Sequence, residues 1–128
     1  MPIVHISLTD RWSSIEARAI SDAIHQALVE AFRIPDHDYI HRVHRCDAEE
    51  LILAPGKSDR FVLVEMTIFP GRSAQAKEAL YARIATSLES FGIAAADILV
   101  ALHELPMGDW GLRGQSGDKV QLGFSTQV

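Results

Sequence analysis

The residues best suited to chemistry are spread thinly along this chain, and the first stands at its start. Pro2 directly follows Met1, and an initiator methionine is normally trimmed when the second residue is small. Trimming leaves a free secondary amine at the head of an apolar run, Ile3-Val4-His5-Ile6-Ser7-Leu8. An α-amino group titrates near ~8 in water and lower when buried. It can therefore take or give a proton near neutral pH, a range otherwise served mainly by histidine. Proline is equally at home as a strand's first residue, where its missing N–H breaks no ladder bond. With Met1 retained, Pro2 is an amide and has no such chemistry.

Two turns carry the next candidates. Asp36 and Asp38 flank His37 in Pro35-Asp36-His37-Asp38. A carboxylate there can polarise a carbonyl, activate water or hold a cationic amine. Each aspartate also suits an Asx turn that satisfies the backbone. Pro70-Gly71-Arg72-Ser73 joins a strand to a helix N-terminus. Its open backbone N–H groups, the helix dipole and the Arg72 guanidinium favour an anion such as a substrate carboxylate. The plainer reading is a solvated arginine in a turn.

The remaining candidates are weaker. His37, His41 and His44 lie close in sequence, with His5 and His103 elsewhere. Residues 41 and 44 face opposite sides of one strand. No H-E-x-x-H helix or cysteine partner supports them, so no metal site is expected. His25 reads as a boundary residue on a helix flank. Cys46 is the single cysteine, which excludes an intrachain disulfide and fits a reducing, cytoplasmic compartment. Trp110 sits among Gly108, Gly111, Gly114 and Gly117, either over a pocket or as a packing anchor. That glycine spacing fits neither collagen nor a phosphate-binding loop.

The elements that must position these residues follow from periodicity. Ser13 with Glu16 is a capping-box signature. Ile20, Ala23, Ile24, Ala27, Leu28, Ala31 and Phe32 then recur at helical steps over residues 14–32, and Pro35 ends the pattern. Residues 39–45 read as a strand, with a weaker segment near 50–54 and a turn at 55–59. Residues 61–69 alternate as the clearest strand. Ser73 caps a second helix over 74–91, closed by Gly92. Residues 97–105 are apolar on both faces, which predicts a strand buried on both sides. A loop over 106–117 leads to a short last strand of Val120, Leu122 and Phe124.

The two halves repeat. A shift of 59 residues lays Ser14 on Ser73, Phe32 on Phe91, Ile34 on Ile93, Asp38 on Asp97 and His44 on His103. The chain of 128 residues is thus read as one α/β (α+β) domain. Two tandem β-α-β units, about residues 1–58 and 59–128, form a four-stranded core sheet. Both helices should cover one face of that sheet. The other face, assigned here to Val62, Val64, Met66 and Ile68, is too apolar for water and needs a further copy of the chain. A net charge of −5 and no long basic run argue against a nucleic-acid partner. No apolar run approaches the ~18 residues that span a bilayer.

Taken together, these parts resemble the tautomerase superfamily, and within it the malonate semialdehyde decarboxylase-like group. The resemblance rests on Pro2 opening the first strand, Ala31-Phe32-Arg33-Ile34-Pro35 with Asp38, and Phe69-Pro70-Gly71-Arg72-Ser73 ahead of Lys77. It continues through Gly92-Ile93, Asp97-Ile98 and Asp109-Trp110-Gly111-Leu112-Arg113-Gly114. It implies a homotrimer with Pro2 as the catalytic amine, Asp38 as a catalytic aspartate, Arg72 binding a carboxylate and Trp110 beside the site. It implies no cofactor or metal. The decarboxylase pattern has two arginines two residues apart, and the first falls here on Pro70.

Three functions are therefore compared. The first is a keto-enol tautomerase acting on a phenylpyruvate-like 2-oxo acid, with neutral Pro2 as general base. The second is a decarboxylase or hydratase using cationic Pro2, with Asp38 activating water. The third is a non-catalytic trimeric binding protein on the same scaffold, since fold does not fix function.

Overall fold

The computed structural model describes residues 2–128. Strand β1 (Ile3–Thr9) runs into helix α1 (Ser14–Phe32) and returns as β2 (His41–Cys46). The second unit repeats the path as β3 (Val62–Ile68), α2 (Ala74–Leu88) and β4 (Ile98–Glu104). The sheet order is β2-β1-β3-β4, parallel within each unit and antiparallel where β1 meets β3. These are the two expected β-α-β units side by side.

Local chemistry explains the helix ends. Ser13 Oγ accepts the Glu16 N–H at 3.1 Å, and the Glu16 carboxylate accepts the Ser13 N–H at 3.0 Å. This capping box satisfies two donors that a helix start otherwise leaves open. Arg33 closes α1 in the left-handed region at φ 55°. Ser73 caps α2 through its hydroxyl, which accepts the Ala76 N–H at 3.1 Å. Gly92, at φ 72°, ends the 3-10 turn 89–91 that follows.

Both helices lie on one sheet face, and Ile20, Ile24, Leu28, Leu80, Ile84 and Leu88 are fully buried there. Burial of one such side chain contributes about 1.5–3 kcal/mol. The strand residues beneath them are Val4, Ile6, Val62, Val64, Met66 and Ile68. This corrects the sequence assignment: Val62, Val64, Met66 and Ile68 face the helices, not a partner. Alternation shows that β3 has two faces but not which one the helices take. The register decides it, because Ile6 pairs with Val64 and Val4 with Met66. In β1, β3 and β4 the open face carries the odd-numbered set, with Ile3 43% and Leu99 54% exposed.

Three further expectations are revised. Strand β4 is a sheet edge and exposes Leu99, so it is not buried on both sides within the chain. Residues 120–124 form no strand; Phe124 and Val128 instead pack against the core as irregular chain. The 106–117 loop contains a small hairpin, β5 (Gly111–Leu112) with β6 (Gln115–Ser116). Among the described residues, no helix is long and apolar enough to cross a membrane.

Candidate active site

The site is built at one end of the sheet. Pro2 is buried at the head of β1. Since Ile3 pairs with Thr67 and Val4 with His41, that head lies between the start of β2 and the end of β3. The turn holding Asp38 precedes β2, and the turn holding Arg72 follows β3. The fold thus brings the ends of both turns beside Pro2. Trimming of Met1, on which the amine depends, lies outside the described residues.

The Asp38 turn is fastened to α1 rather than left loose. Asp38 N–H donates to the Pro35 carbonyl and Tyr39 N–H to that of His37, both at 3.0 Å. His25 Nε2–H donates to the Asp36 carbonyl at 2.7 Å, and Gln26 donates to the Asp36 carboxylate at 3.1 Å. Asp36 therefore anchors the turn, while Asp38 lines a cavity of about 580 Å³. Tyr39, Ile40, Arg113, Leu122 and Phe124 line it as well.

Tyr39 is held by a second layer. Its hydroxyl donates to Asp22 at 2.7 Å, and Ser21 Oγ lies 2.8 Å from both the Tyr39 oxygen and His41 Nδ1. Burial, reinforced by nearby His25, pulls the His41 pKa down from its usual 6.5 to about 4. His41 is therefore neutral at pH 7. Its folded pKa lies below the unfolded one, so its stabilising contribution is complete above pH ~6.5 and is lost as pH falls towards ~4. The slope is at most ~1.4 kcal/mol per pH unit. His41→Gln, which keeps a partner for Ser21, should flatten urea-unfolding stability between pH 6.5 and 5 relative to wild type. Parallel pH profiles for the two proteins would contradict this origin.

Arg72 is only 6% exposed, although it is a cation. Its guanidinium lies over the Phe32 ring at 5.0 Å, and Nη1–H donates to the Phe69 carbonyl at 3.2 Å. Nε has no partner among the described residues. Burial lowers the Arg72 pKa, and Glu104 opposes that shift. The turn is also less open than its sequence suggests. Ser73 N–H donates to the Val128 carbonyl at 2.7 Å, and a Cβ on Gly71 (φ 118°) would meet Gln127 Nε2 at 2.5 Å. The C-terminal segment thus covers the turn, and Arg72 does not line the Asp38 cavity.

Trp110 is 7% exposed. It packs edge-on against Phe69 at 4.6 Å and donates Nε1–H to the Leu105 carbonyl at 3.0 Å. It is a packing anchor, one residue removed from Arg72 through Phe69. Sequence reasoning did not select Arg113 or Phe124 as cavity residues. The available signal was the Arg113-Gly114 pair between two short runs, which marks a two-residue hairpin. Among the described residues, no three His, Cys, Asp or Glu side chains group in a way that could hold a metal ion.

Residues 38–113, from the Asp38 turn to the hairpin, match the family profile described as tautomerase enzyme. The chain belongs to the tautomerase family. The probable tautomerases YusQ and YrdN of Bacillus subtilis (strain 168) are each 27% identical over 116 residues. Each match covers 86% of this chain, with 91% of YusQ and 89% of YrdN. Among solved structures, FG41 malonate semialdehyde decarboxylase inhibited by 3-bromopropiolate superposes with a TM-score of 0.81 at 30% identity. That superposition covers 91% of this chain and 92% of the decarboxylase. A symmetric trimer of fused 4-OT matches at a TM-score of 0.78 and 20% identity, over 91% of this chain and 96% of that one, which shows the shared fold. This tautomerase-family chain is an enzyme of the tautomerase or isomerase type.

Proposed function

We propose that this enzyme is a cofactor-independent keto-enol tautomerase of a phenylpyruvate-like 2-oxo acid. The observation that carries the reading is the buried Pro2 at the head of a central strand, beside the ends of the Asp38 and Arg72 turns. Trimmed of Met1, neutral Pro2 takes the enol hydroxyl proton, the freed O–H pair closes the C=O bond, and the C=C pair shifts to the neighbouring carbon. The same nitrogen then delivers a proton to the neighbouring carbon. Burial favours the neutral amine, which suits a base working near neutral pH. Arg72 binds the substrate carboxylate, and a charged group there retains its strength because water is excluded. Asp38 orients a water that steadies the developing enolate. Trp110, through Phe69, shapes the floor beneath Arg72.

The working unit is proposed to be a homotrimer. The open sheet face exposes Ile3 and Leu99, and apolar surface of that kind is covered by a further copy. Sedimentation should give three times the chain mass; a monomer would reject that assembly.

A second reading is favoured by the 30% identity to malonate semialdehyde decarboxylase. Cationic Pro2 would polarise a carbonyl while Asp38 activates water. Pro70, standing where that pattern has an arginine, weighs against it. Assays of phenylenolpyruvate ketonisation and of carbon dioxide release from malonate semialdehyde separate the two. The tautomerase reading expects ketonisation to dominate kcat/KM; dominant carbon dioxide release would replace it.

A further inference from the structure

The cavity beside Asp38 contains a cation that the reaction scheme above does not use. Arg113 lines it together with Asp38, Tyr39 and Ile40. It reaches that position on the two-residue turn between Leu112 and Gln115, which pair as β5 and β6. Both turn residues have positive φ, 52° at Arg113 and 79° at Gly114. A hairpin turn of this form favours Asn-Gly or Asp-Gly. A side chain as long as arginine in the left-handed region costs about 1–2 kcal/mol relative to glycine. Local folding therefore gives no reason for arginine here. Nor does pairing: the guanidinium makes no hydrogen bond or ion pair among the described residues. Arg113 is exposed, yet it lines a cavity and sits on a left-handed backbone, neither of which solvation alone requires.

The charge balance of the cavity points the same way. Asp38 contributes a carboxylate to the lining, so a carboxylate ligand entering alone would meet a like charge. Arg72 cannot answer for the cavity wall, since it is buried against Phe32 and gives Nη1–H to Phe69. Leu122 and Phe124 also line the cavity, and they offer apolar surface suited to the body of an aryl or alkyl acid. A planar fork with apolar neighbours recognises a carboxylate attached to a hydrophobic group.

We propose that Arg113 is a substrate-binding residue, whose guanidinium takes the carboxylate of an acid seated in the Asp38 cavity with its apolar body on Leu122 and Phe124. The proposal deepens the tautomerase reading and rests on it for the identity of the substrate. Arg113 then holds the carboxylate inside the cavity, and Arg72, which does not line it, adds only the field of its buried charge from the neighbouring turn.

The test uses the intact protein and two variants, Arg113→Gly and Arg113→Lys. Glycine relieves the left-handed strain, so Tm should hold or rise, which removes unfolding as an explanation of any loss. The first readout is binding of 3-phenylpropanoate, an unreactive acid, followed by NMR shifts. Its Kd should rise about 10- to 100-fold in Arg113→Gly, as loss of a charge-assisted pair predicts, and less in Arg113→Lys. Binding of 3-phenylpropanamide, which has no charge, should change less than 3-fold (~0.6 kcal/mol). The second readout is phenylenolpyruvate ketonisation, where KM should rise by a similar factor with kcat nearly unchanged. Equal Kd in wild type and Arg113→Gly would overturn the proposal while leaving the tautomerase reading intact. Absence of ketonisation by wild type, with the Kd effect present, would overturn that reading and leave Arg113 as a carboxylate-binding residue. Equal weakening of acid and amide would also overturn the proposal, because it would show a change of cavity shape rather than loss of an ion pair.

Discussion

Replacing Pro2 by alanine is expected to lower kcat/KM for phenylenolpyruvate ketonisation by about 10²- to 10⁴-fold, the range a positioned general base contributes. Alanine is also a small second residue, so Met1 should still be trimmed and an amine retained. That amine is primary, and the strand head loses the ring that fixes its direction. Pro2 is buried where β1 begins, but proline offers no ladder N–H to lose, so the fold should tolerate the change. Tm and the near-ultraviolet spectrum should match wild type. A variant within 3-fold of wild-type activity (~0.6 kcal/mol) would remove Pro2 from the chemistry.

The second large effect is expected at Arg72, with stability and activity moving apart. Arg72→Gln should lower kcat/KM by about 10²-fold or more, the cost of truncating a desolvated charged pair. The folded protein without substrate should gain or hold stability. The native guanidinium is almost fully buried, makes one hydrogen bond and leaves Nε without a partner among the described residues. A buried cation with so little compensation is costly, and its removal is often neutral or favourable. Urea unfolding and steady-state kinetics on the same preparation measure both halves. Loss of stability together with unchanged activity would make Arg72 a structural residue instead.

Much of the scaffold was legible because it rests on local rules. Ser13 with Glu16, Ser73 and Gly92 mark helix ends through hydrogen bonds made within a few residues. The match of Ser14 to Ser73 and Phe32 to Phe91 revealed two β-α-β units, because each repeat unit must bury the same helix face. What failed depended on long-range packing. The alternation in β3 gave no means of choosing the helix-covered face, which the Ile6–Val64 register decides. Val120, Leu122 and Phe124 alternate like a strand, yet they find no ladder partner and two of them line the Asp38 cavity with Arg113.

The candidate site was legible in part for the same reason. Pro2, Asp38 and Arg72 carry chemistry in their residue types, and the element pattern brings the head of β1 and the two turns to one sheet end. Trp110 could be recognised as important, but only the structure shows it packed on Phe69 and bonded to Leu105. Arg113 could not be assigned to the cavity from spacing. It lies 75 residues beyond Asp38, and only the returning hairpin brings the two together.

The measurement closest to the central claim is the titration of the Pro2 nitrogen by ¹⁵N NMR on intact protein whose mass has been determined. The account predicts a mass lacking Met1 and a secondary amine titrating near or below neutrality, with phenylenolpyruvate ketonisation rising along the same curve. A pKa well above neutrality, or a mass that retains Met1, would contradict Pro2 as the base.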